Sequence, residues 1–250
     1  MSVCCVRNVK IGEGKPKVCL PIVGQTREDI LVQARSFQHF EYDLVEFRVD
    51  FYEDIFNQKN LLSLLKILRE DIQQPLLFTY RSKREGGQIQ LTDEQYLELV
   101  KMVCQSQLID LIDIELMSGN ALVYQLVEIA HQYGIYVILS NHDFEKTPQD
   151  IDMRQTLEHM EIMNGDIYKI AVMPQSYQDV IRVLNVTMEM SARLNQPIVT
   201  MAMGKLGMIT RMTGELTGSS ITFASAGKAS APGQMSVNDL QMILEAIHHD

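Results

Sequence analysis

Eight short β-rich runs recur along the 250 residues and are separated by stretches with helical periodicity. The runs span residues 17–24, 44–51, 75–82, 110–116, 136–144, 167–174, 197–204 and 219–226. Between them, apolar residues return every three or four positions, as a helix with one buried face requires. Strand–helix alternation predicts a parallel sheet covered by helices, and eight such units predict a (β/α)8 barrel in which residues 1–250 form a single domain.

Helix starts are marked independently by five hydroxyl residues that each stand three positions before Asp or Gln. They are Thr26, Thr92, Thr147, Ser176 and Ser236. A hydroxyl at this position accepts a hydrogen bond from a free amide of the first helical turn, so each is predicted to be an N-cap. Pro148 follows Thr147 and is a favoured first helical residue.

A doubly wound open sheet is the competing architecture, because it also alternates strands and helices. Such sheets usually carry a glycine-rich phosphate-binding turn after an early strand. Neither G-x-G-x-x-G nor a Walker A motif occurs in this sequence, and no linker or repeat marks a second domain. The sequence therefore favours the barrel.

Several runs alternate between an apolar face and a charged face. The charged positions are Glu46, Arg48, Asp50, Asp113, Glu115 and Lys169, with Arg81 near the end of a further run. A half-exposed antiparallel strand alternates in the same way, but the flanking helical stretches argue against it. In a barrel the apolar face meets the helices, so the charged face turns inward, where unpaired charges would each cost several kcal/mol. We expect these side chains to pair with one another or with a small, polar, anionic ligand.

Two of the residues have chemistry suited to catalysis. Lys169 lies in the middle of an apolar run, and a lysine amine that is desolvated near other cations becomes a nucleophile. His142 lies near the carboxyl end of the fifth run, where barrel enzymes place catalytic groups. The alternatives are an ion-paired structural lysine and a structural histidine.

Composition excludes other classes of protein. The net charge of −10 argues against nonspecific nucleic-acid binding, which needs a basic surface. The four cysteines form no C-x-x-C pair and have no zinc-site spacing, which predicts reduced thiols in a cytoplasmic protein and no metal site. The first residues contain no apolar stretch typical of a signal peptide, and no window is long and apolar enough to span a membrane.

A set of motifs in a fixed order resembles the type I 3-dehydroquinate dehydratase family. The motifs are Glu46-Phe-Arg48-Val-Asp50, Phe78-Thr-Tyr-Arg81-Ser, Glu85-Gly-Gly, Asp113-Ile-Glu115, Ser140-Asn-His142-Asp-Phe, Lys169-Ile-Ala-Val-Met-Pro, Met203-Gly-Lys-Leu-Gly and Lys228-Ala-Ser230-Ala-Pro-Gly-Gln234. The resemblance extends from the first strand to the last helix. It implies a (β/α)8 barrel that dehydrates 3-dehydroquinate to 3-dehydroshikimate in the shikimate pathway, without a metal or a diffusible cofactor, as a homodimer.

The resemblance also implies roles for individual residues. Lys169 would form an imine with the substrate ketone, His142 would remove the neighbouring proton, and Glu85 would orient the histidine. The residues that would bind substrate are Arg211 for its carboxylate, Glu46, Arg48 and Arg81 for its ring hydroxyls, and Ser230 and Gln234 on a closing loop. Pro21 departs from the family pattern, because we expect a small polar residue near this position of the first strand.

Two alternative functions share part of this reasoning. A class I aldolase would use the same strand-six lysine, with a phosphate site near the seventh and eighth strands, where this chain has Gly204-Lys-Leu-Gly207. A catalytically silent barrel that binds a polyol acid would have lost Lys169 or His142, and both are present. The full motif set favours the dehydratase.

Overall fold

The computed structural model describes residues 3–227 and 230–248, and within them eight parallel strands form a barrel surrounded by helices. The barrel strands are β3 (Lys17–Ile22), β4 (Leu44–Arg48), β5 (Leu76–Thr79), β6 (Leu111–Glu115), β7 (Tyr136–Asp143), β8 (Ile167–Val172), β9 (Ile198–Ala202) and β10 (Ile221–Phe223). Each strand from β3 to β9 pairs with the next one in chain order, and β10 pairs with β3. Between β9 and β10, an isolated bridge joins Ile198 and Ser219, and Ser220 N donates to Ile198 O at 2.8 Å. The predicted (β/α)8 barrel is confirmed.

The helices pack around the outside of the strands and bury their apolar faces. They are α1 (Arg27–Ser36), α2 (Gln58–Asp71), α3 (Asp93–Ser106), α4 (Asn120–Gln132), α5 (Asp150–Ile162), α6 (Tyr177–Arg193), α7 (Ile209–Met212), α8 (Gly214–Thr217) and α9 (Val237–Ile247). In α2, for example, Leu61, Leu64, Leu65 and Leu68 repeat at helical spacing and are fully buried. None of the helices in the described part of the chain is long and apolar enough to cross a membrane.

Four of the five predicted helix caps are confirmed. Thr26, Thr92, Ser176 and Ser236 each accept a hydrogen bond from the amide three residues later. The prediction for Thr147 is wrong. Helix α5 begins only at Asp150 with an extended Gln149 as its N-cap, so Pro148 is not its first residue either. The buried Thr147 hydroxyl has no hydrogen-bond partner within residues 3–227 and 230–248.

An N-terminal hairpin closes the bottom of the barrel, and the sequence patterns did not indicate it. Strands β1 (Cys4–Val6) and β2 (Val9–Ile11) pair antiparallel and turn their apolar side chains toward the barrel interior. These side chains pack on a layer of inward-facing apolar residues near the strand starts: Cys19, Leu44, Leu77, Leu111, Ile138, Ile167, Val199 and Ile221. The described interior below the polar residues is therefore filled with apolar side chains, and the barrel mouth lies at the opposite end.

Each of the eight predicted strand runs extends one to three residues past the observed strand end, and two of these differences shape the barrel mouth. The run over residues 44–51 leaves the sheet after Arg48, and residues 49–51 form a 3-10 turn. The run over residues 75–82 leaves the sheet after Thr79, so Arg81 lies beyond the strand end. Both departures occur at the carboxyl end of a strand and bring charged side chains into the barrel mouth. Pro21 is buried in β3, where its backbone is in register with Glu46 of β4.

Candidate active site

A cavity of about 170 Å³ opens at the carboxyl ends of the barrel strands. All nine predicted site residues line it: Glu46, Arg48, Arg81, Glu85, His142, Lys169, Arg211, Ser230 and Gln234. They come from three strands, two loops, a 3-10 turn and the short helix α7. The structure thus brings together residues that are up to 188 positions apart in the chain, from Glu46 to Gln234.

Lys169 lies in the middle of β8 with its side chain almost fully buried. Its Nζ donates to Oδ2 of Asp113 at 3.1 Å. The same nitrogen lies 4.7 Å from the centre of the Phe223 ring, at the distance of a cation–π contact. These two contacts hold the buried amine in one place at the base of the cavity.

Asp113 on β6 connects Lys169 to the rest of the polar layer. Besides Lys169, its carboxylate pairs with Arg81 Nη2 at 2.8 Å and accepts from Ser140 Oγ at 2.6 Å. Burial alone would raise the pKa of Asp113, but Arg81 and Lys169 outweigh burial and hold it well below its ordinary value. Asp113 is therefore an ionised carboxylate that neutralises two buried cations.

Replacing Asp113 with Asn is expected to destabilise the fold by about 3 kcal/mol, because two buried cations would lose a shared counter-charge. Asp113→Asn keeps the size and shape of the side chain, so packing is preserved. Urea unfolding followed by circular dichroism measures the difference. Asp152→Asn on the exposed surface of α5 is the control and should change stability by a few tenths of a kcal/mol. Equal stabilities of the two variants would contradict the account of this ion-pair network.

Arg81 is engaged mainly by acidic partners, and its Nη1 also donates to Ser140 Oγ at 3.0 Å. Its Nη1 lies 2.9 Å from Glu115 Oε1 and 3.7 Å from Glu85 Oε2, and Nη2 pairs with Asp113. Burial would lower the pKa of Arg81, but these three carboxylates raise it above its ordinary value. The predicted contact of Arg81 with a substrate hydroxyl stays a prediction. What the geometry adds is that Arg81 holds Asp113 and Glu115 in position.

His142 and Glu85 form a buried pair at the edge of the cavity. Glu85 Oε2 lies 2.7 Å from His142 Nδ1 and also accepts the His142 backbone amide at 2.9 Å. Burial, together with the cations Arg81 and Lys169, lowers the pKa of His142 well below its ordinary value. Burial and the nearby carboxylate of Glu115 raise the pKa of Glu85 to about 8. Because Oε2 and Nδ1 lie within hydrogen-bond distance, the protonation states of the two groups depend on each other.

Arg211 on α7 is a buried cation without an acidic neighbour among the described residues. Its guanidinium contacts Met201 Sδ at 3.5 Å and Pro232 O at 3.2 Å, and its Nε has no hydrogen-bond partner there. Burial lowers the pKa of Arg211 to about 10, which still leaves it charged at neutral pH. An unpaired, desolvated guanidinium in a cavity wall is suited to binding a carboxylate through two parallel hydrogen bonds.

Glu46 and Arg48 on β4 form the wall that adjoins β5. Glu46 Oε1 accepts a hydrogen bond from Thr79 Oγ1 at 2.9 Å. Arg48 makes a two-point contact with Asp50, at 2.8 and 2.9 Å, and its guanidinium lies over the Phe51 ring. Both side chains are held in place while still bordering the cavity, so they are rigid hydrogen-bonding groups for a polar ligand.

The loop that carries Ser230 and Gln234 covers one side of the cavity. The two residues bond reciprocally: Ser230 N donates to Gln234 Oε1, and Gln234 Nε2 donates to Ser230 Oγ, both at 2.8 Å. Gly233 has a positive φ and approaches the backbone of Gly204 so closely that any Cβ would collide with it. Lys228, the first residue of the motif that ends at Gln234, lies outside the described residues.

Several residues of the site were not predicted as members of it. The sequence identifies Asp113 and Glu115 only as inward-facing charges, and it assigns no role to Ser140 or Phe223. The period-two alternation could have placed Phe223 inside the barrel, because its neighbours Thr222 and Ala224 are the outward positions. Which inward carboxylate pairs with Lys169 depends on strand stagger, which periodicity does not determine.

Comparison with known proteins agrees with this geometry. A family model for type I 3-dehydroquinase matches residues 18–250. The 3-dehydroquinate dehydratase of Listeria welshimeri is 43% identical over 249 residues, which cover 99% of each chain. That of Clostridium botulinum is 45% identical over 247 residues, covering 98% of this chain and 97% of the relative.

Solved structures of 3-dehydroquinate dehydratases also resemble this chain. The type I 3-dehydroquinate dehydratase of Clostridium difficile has a TM-score of 0.96 and 41% identity, with 99% of this chain and 98% of that chain covered. The 3-dehydroquinate dehydratase of Geobacillus kaustophilus has a TM-score of 0.96 and 37% identity, with 98% and 96% covered. Together with the nine residues gathered in one barrel mouth, these matches show that the chain belongs to the type I 3-dehydroquinase family.

Proposed function

We propose that the protein dehydrates 3-dehydroquinate to 3-dehydroshikimate through an imine on Lys169, as a single catalytic domain of the shikimate pathway. The dehydratase activity follows from membership of the family. The observation that carries the mechanism is the placement of a buried amine, a histidine–carboxylate pair and an unpaired guanidinium around one cavity. The C. difficile relative, solved with covalently modified comenic acid, supports covalent chemistry within the family.

The first step joins Lys169 to the substrate ketone. Addition of Nζ to the ketone carbon and loss of the carbonyl oxygen convert one ammonium and one ketone into one protonated imine and one water. A protonated imine is an electron sink, so the adjacent C–H bond becomes far more acidic than it is beside a free ketone. This chemistry accounts for a lysine at the base of the cavity.

The second step belongs to His142, whose neutral ring can accept the proton next to the imine carbon. The C–H electron pair moves toward the imine nitrogen and forms an enamine. The enamine then expels the β-hydroxyl, which leaves as water with the proton that His142 carries. Glu85 fixes the ring by its contact with Nδ1, so that Nε2 is available to the substrate. Hydrolysis of the conjugated imine by water releases the product and restores Lys169.

The substrate is oriented by groups around the imine site. Arg211 would bind the carboxylate, because it is the buried cation that the described acidic residues leave unneutralised. Glu46, Arg48 and Arg81 would contact ring hydroxyls, and Ser230 with Gln234 would close over the bound ring. Exclusion of water by this loop would strengthen each of these polar contacts.

The pH dependence of the reaction tests the proposed base. His142 can take a proton through Nε2 only after the His142–Glu85 pair has released its own shared proton. Because the pKa of Glu85 is raised to about 8, we expect kcat/KM to fall tenfold per pH unit on the acid side of about pH 8. Ultraviolet absorbance of the conjugated enone product measures the rate. A flat profile between about pH 6 and 9 would exclude this pair as the base.

The same absorbance assay separates the alternative functions. An aldolase would cleave a carbon–carbon bond of a sugar phosphate and would form no enone from 3-dehydroquinate. A binding-only barrel would give heat in calorimetry without absorbance change. The homodimer is also part of the proposal, by likeness to the family, and a single 28.5 kDa species in sedimentation would refute it.

A further inference from the structure

Ser140 lies in the middle of β7, at the same level of the barrel as the nucleophile. Its backbone is in register with Glu115 of β6 on one side and with Lys169 of β8 on the other. Ile138, two residues earlier, belongs to the inward apolar layer, so the Ser140 side chain also points into the barrel. Ser140 is fully buried and is not one of the described residues that line the substrate cavity. The proposed mechanism gives it no role.

The Ser140 hydroxyl makes two hydrogen bonds whose directions are fixed. Its Oγ lies 3.0 Å from Arg81 Nη1 and 2.6 Å from Asp113 Oδ1. A guanidinium can only donate, so the single hydroxyl proton is directed to Asp113. The serine therefore joins this cation and this carboxylate in addition to their direct ion pair.

The two carboxylate oxygens of Asp113 have different partners. Oδ2 pairs with Arg81 Nη2 at 2.8 Å and accepts a hydrogen bond from Lys169 Nζ at 3.1 Å. Oδ1 accepts the hydroxyl of Ser140. Because both oxygens are held, the carboxylate cannot rotate without losing a hydrogen bond, which is costly for a buried charged group. Ser140 thus fixes the direction from which Oδ2 meets the amine.

The position of the Lys169 amine depends on this carboxylate. Nζ also lies 4.7 Å from the centre of the Phe223 ring, but a ring face attracts a cation without forming a directed hydrogen bond. Asp113 Oδ2 supplies the directed contact. Attack on a ketone carbon requires close alignment of the reacting atoms, and a displacement of about 1 Å can cost on the order of 10²-fold in rate.

The neighbouring groups have contacts that do not involve Ser140. Arg81 Nη1 also pairs with Glu115 Oε1 at 2.9 Å. Glu85 is joined to the ring and to the backbone amide of His142. Loss of the Ser140 hydroxyl would therefore act mainly on the orientation of Asp113.

We propose that Ser140 is a positioning residue for the nucleophile, because its hydroxyl holds Asp113 in the orientation that aims the Lys169 amine at the substrate ketone. This inference rests on the proposed function, in which Lys169 forms the imine. Ser140 acts through Asp113 on the rate of imine formation. It leaves the binding of the substrate carboxylate by Arg211 unchanged.

Ser140→Val and Ser140→Thr form a matched pair, because the two side chains have nearly the same shape and differ in the hydroxyl. Ser140→Ala removes the hydroxyl without adding volume. Each protein is mixed with 3-dehydroquinate at several concentrations and quenched with borohydride after short times, and the adduct on the Lys169 peptide is quantified by mass spectrometry. We expect the maximal rate of adduct formation to fall about tenfold in Ser140→Ala and Ser140→Val. Ser140→Thr should recover the wild-type rate, and the half-saturating substrate concentration should be unchanged in all three.

Ser191→Ala is the control, because Ser191 is a buried serine on α6, outside the barrel, whose hydroxyl donates to main-chain carbonyls of Met188 and Thr217. It should keep the wild-type rate. The proposal requires a loss of rate in Ser140→Ala and Ser140→Val together with recovery in Ser140→Thr. Any other pattern among variants that fold would overturn it, including a loss that appears only as a higher half-saturating concentration. If the Val and Thr variants do not fold, the rate of Ser140→Ala against that of Ser191→Ala decides.

A failure of the proposed function would look different from a failure of this inference. Absence of both enone and adduct in wild type would refute the function. The environment of the amine is then read without turnover, from the ¹⁵N chemical shift of Lys169 Nζ in the free protein. The wild-type and Ser140→Thr signals should coincide, and those of Ser140→Ala and Ser140→Val should be displaced. Coincident signals in all four proteins would overturn the role of Ser140.

Discussion

Replacing Lys169 with Met is expected to lower kcat by on the order of 10⁵-fold. The magnitude is that found when a covalent nucleophile is removed from a set of groups that act together. Met keeps the apolar length of the lysine stem, so the contacts of this stem inside β8 are retained. The amine is lost, and with it the electron sink that makes proton removal by His142 possible.

The fold of the Lys169→Met variant should survive. Asp113 keeps its ion pair with Arg81 and its hydrogen bond from Ser140, so its carboxylate is not left uncompensated. The substrate should still bind in calorimetry, because Arg211 and the hydroxyl-binding residues are unchanged. A loss of activity with binding retained is the signature of a residue that acts on the reacting bond.

Lys101→Met is the matched control, since Lys101 is an exposed lysine on α3 and far from the barrel mouth. Its kcat should equal that of wild type. If Lys169→Met kept activity within about tenfold of the control, the reaction would have to proceed without a covalent lysine, and the mechanism proposed here would be wrong.

Replacing Arg211 with Met is expected to have two opposite effects. The value of kcat/KM should fall on the order of 10³-fold, because a buried guanidinium–carboxylate contact is lost. The ligand-free protein should become more stable, with a melting temperature higher by about 2–4 °C. Folding of the wild-type protein removes water from a guanidinium that finds no acidic partner among the described residues. The Met variant avoids this desolvation cost.

Arg35→Met provides the comparison for both effects. Arg35 is exposed on α1 and pairs with Asp71 at 3.0 Å, so its loss should change neither kcat/KM nor the melting temperature appreciably. Arg211→Lys should recover little activity, because an ammonium cannot form the two parallel hydrogen bonds of a guanidinium. A destabilised Arg211→Met protein with normal kcat/KM would mean that Arg211 is structural and that another group binds the carboxylate.

Most of the fold could be predicted from local patterns. The eight strands of the barrel and four helix starts follow from alternation, periodicity and hydroxyl caps. The N-terminal hairpin could not, because strands of three residues are too short to show a period, and their burial depends on a floor formed by eight distant strands. Thr147 shows the limit of a capping pattern, since a matching spacing does not determine where the backbone turns helical.

Local sequence patterns likewise predict only some of the residues of the candidate site. The period-two alternation of the strands predicts that Glu46, Arg48 and Lys169 point into the barrel. All three are buried, as this prediction requires. Glu85 and Arg211 lie on a 3-10 turn and a four-residue helix, where no period exists, so only the resemblance to a family pointed to them. The raised pKa of Glu85 is a property of burial beside Glu115, a residue 30 positions away, and no local pattern contains it.

Trapping with borohydride tests the central claim most directly. The protein is mixed with 3-dehydroquinate and reduced, and the site of any adduct is found by peptide mass spectrometry, with Lys169→Met treated in parallel. The account predicts one reduced ligand on the peptide that contains Lys169 and none on the variant, while an unreduced sample forms the enone. Enone formation with no adduct on wild type, or an adduct on a different lysine, would contradict the account.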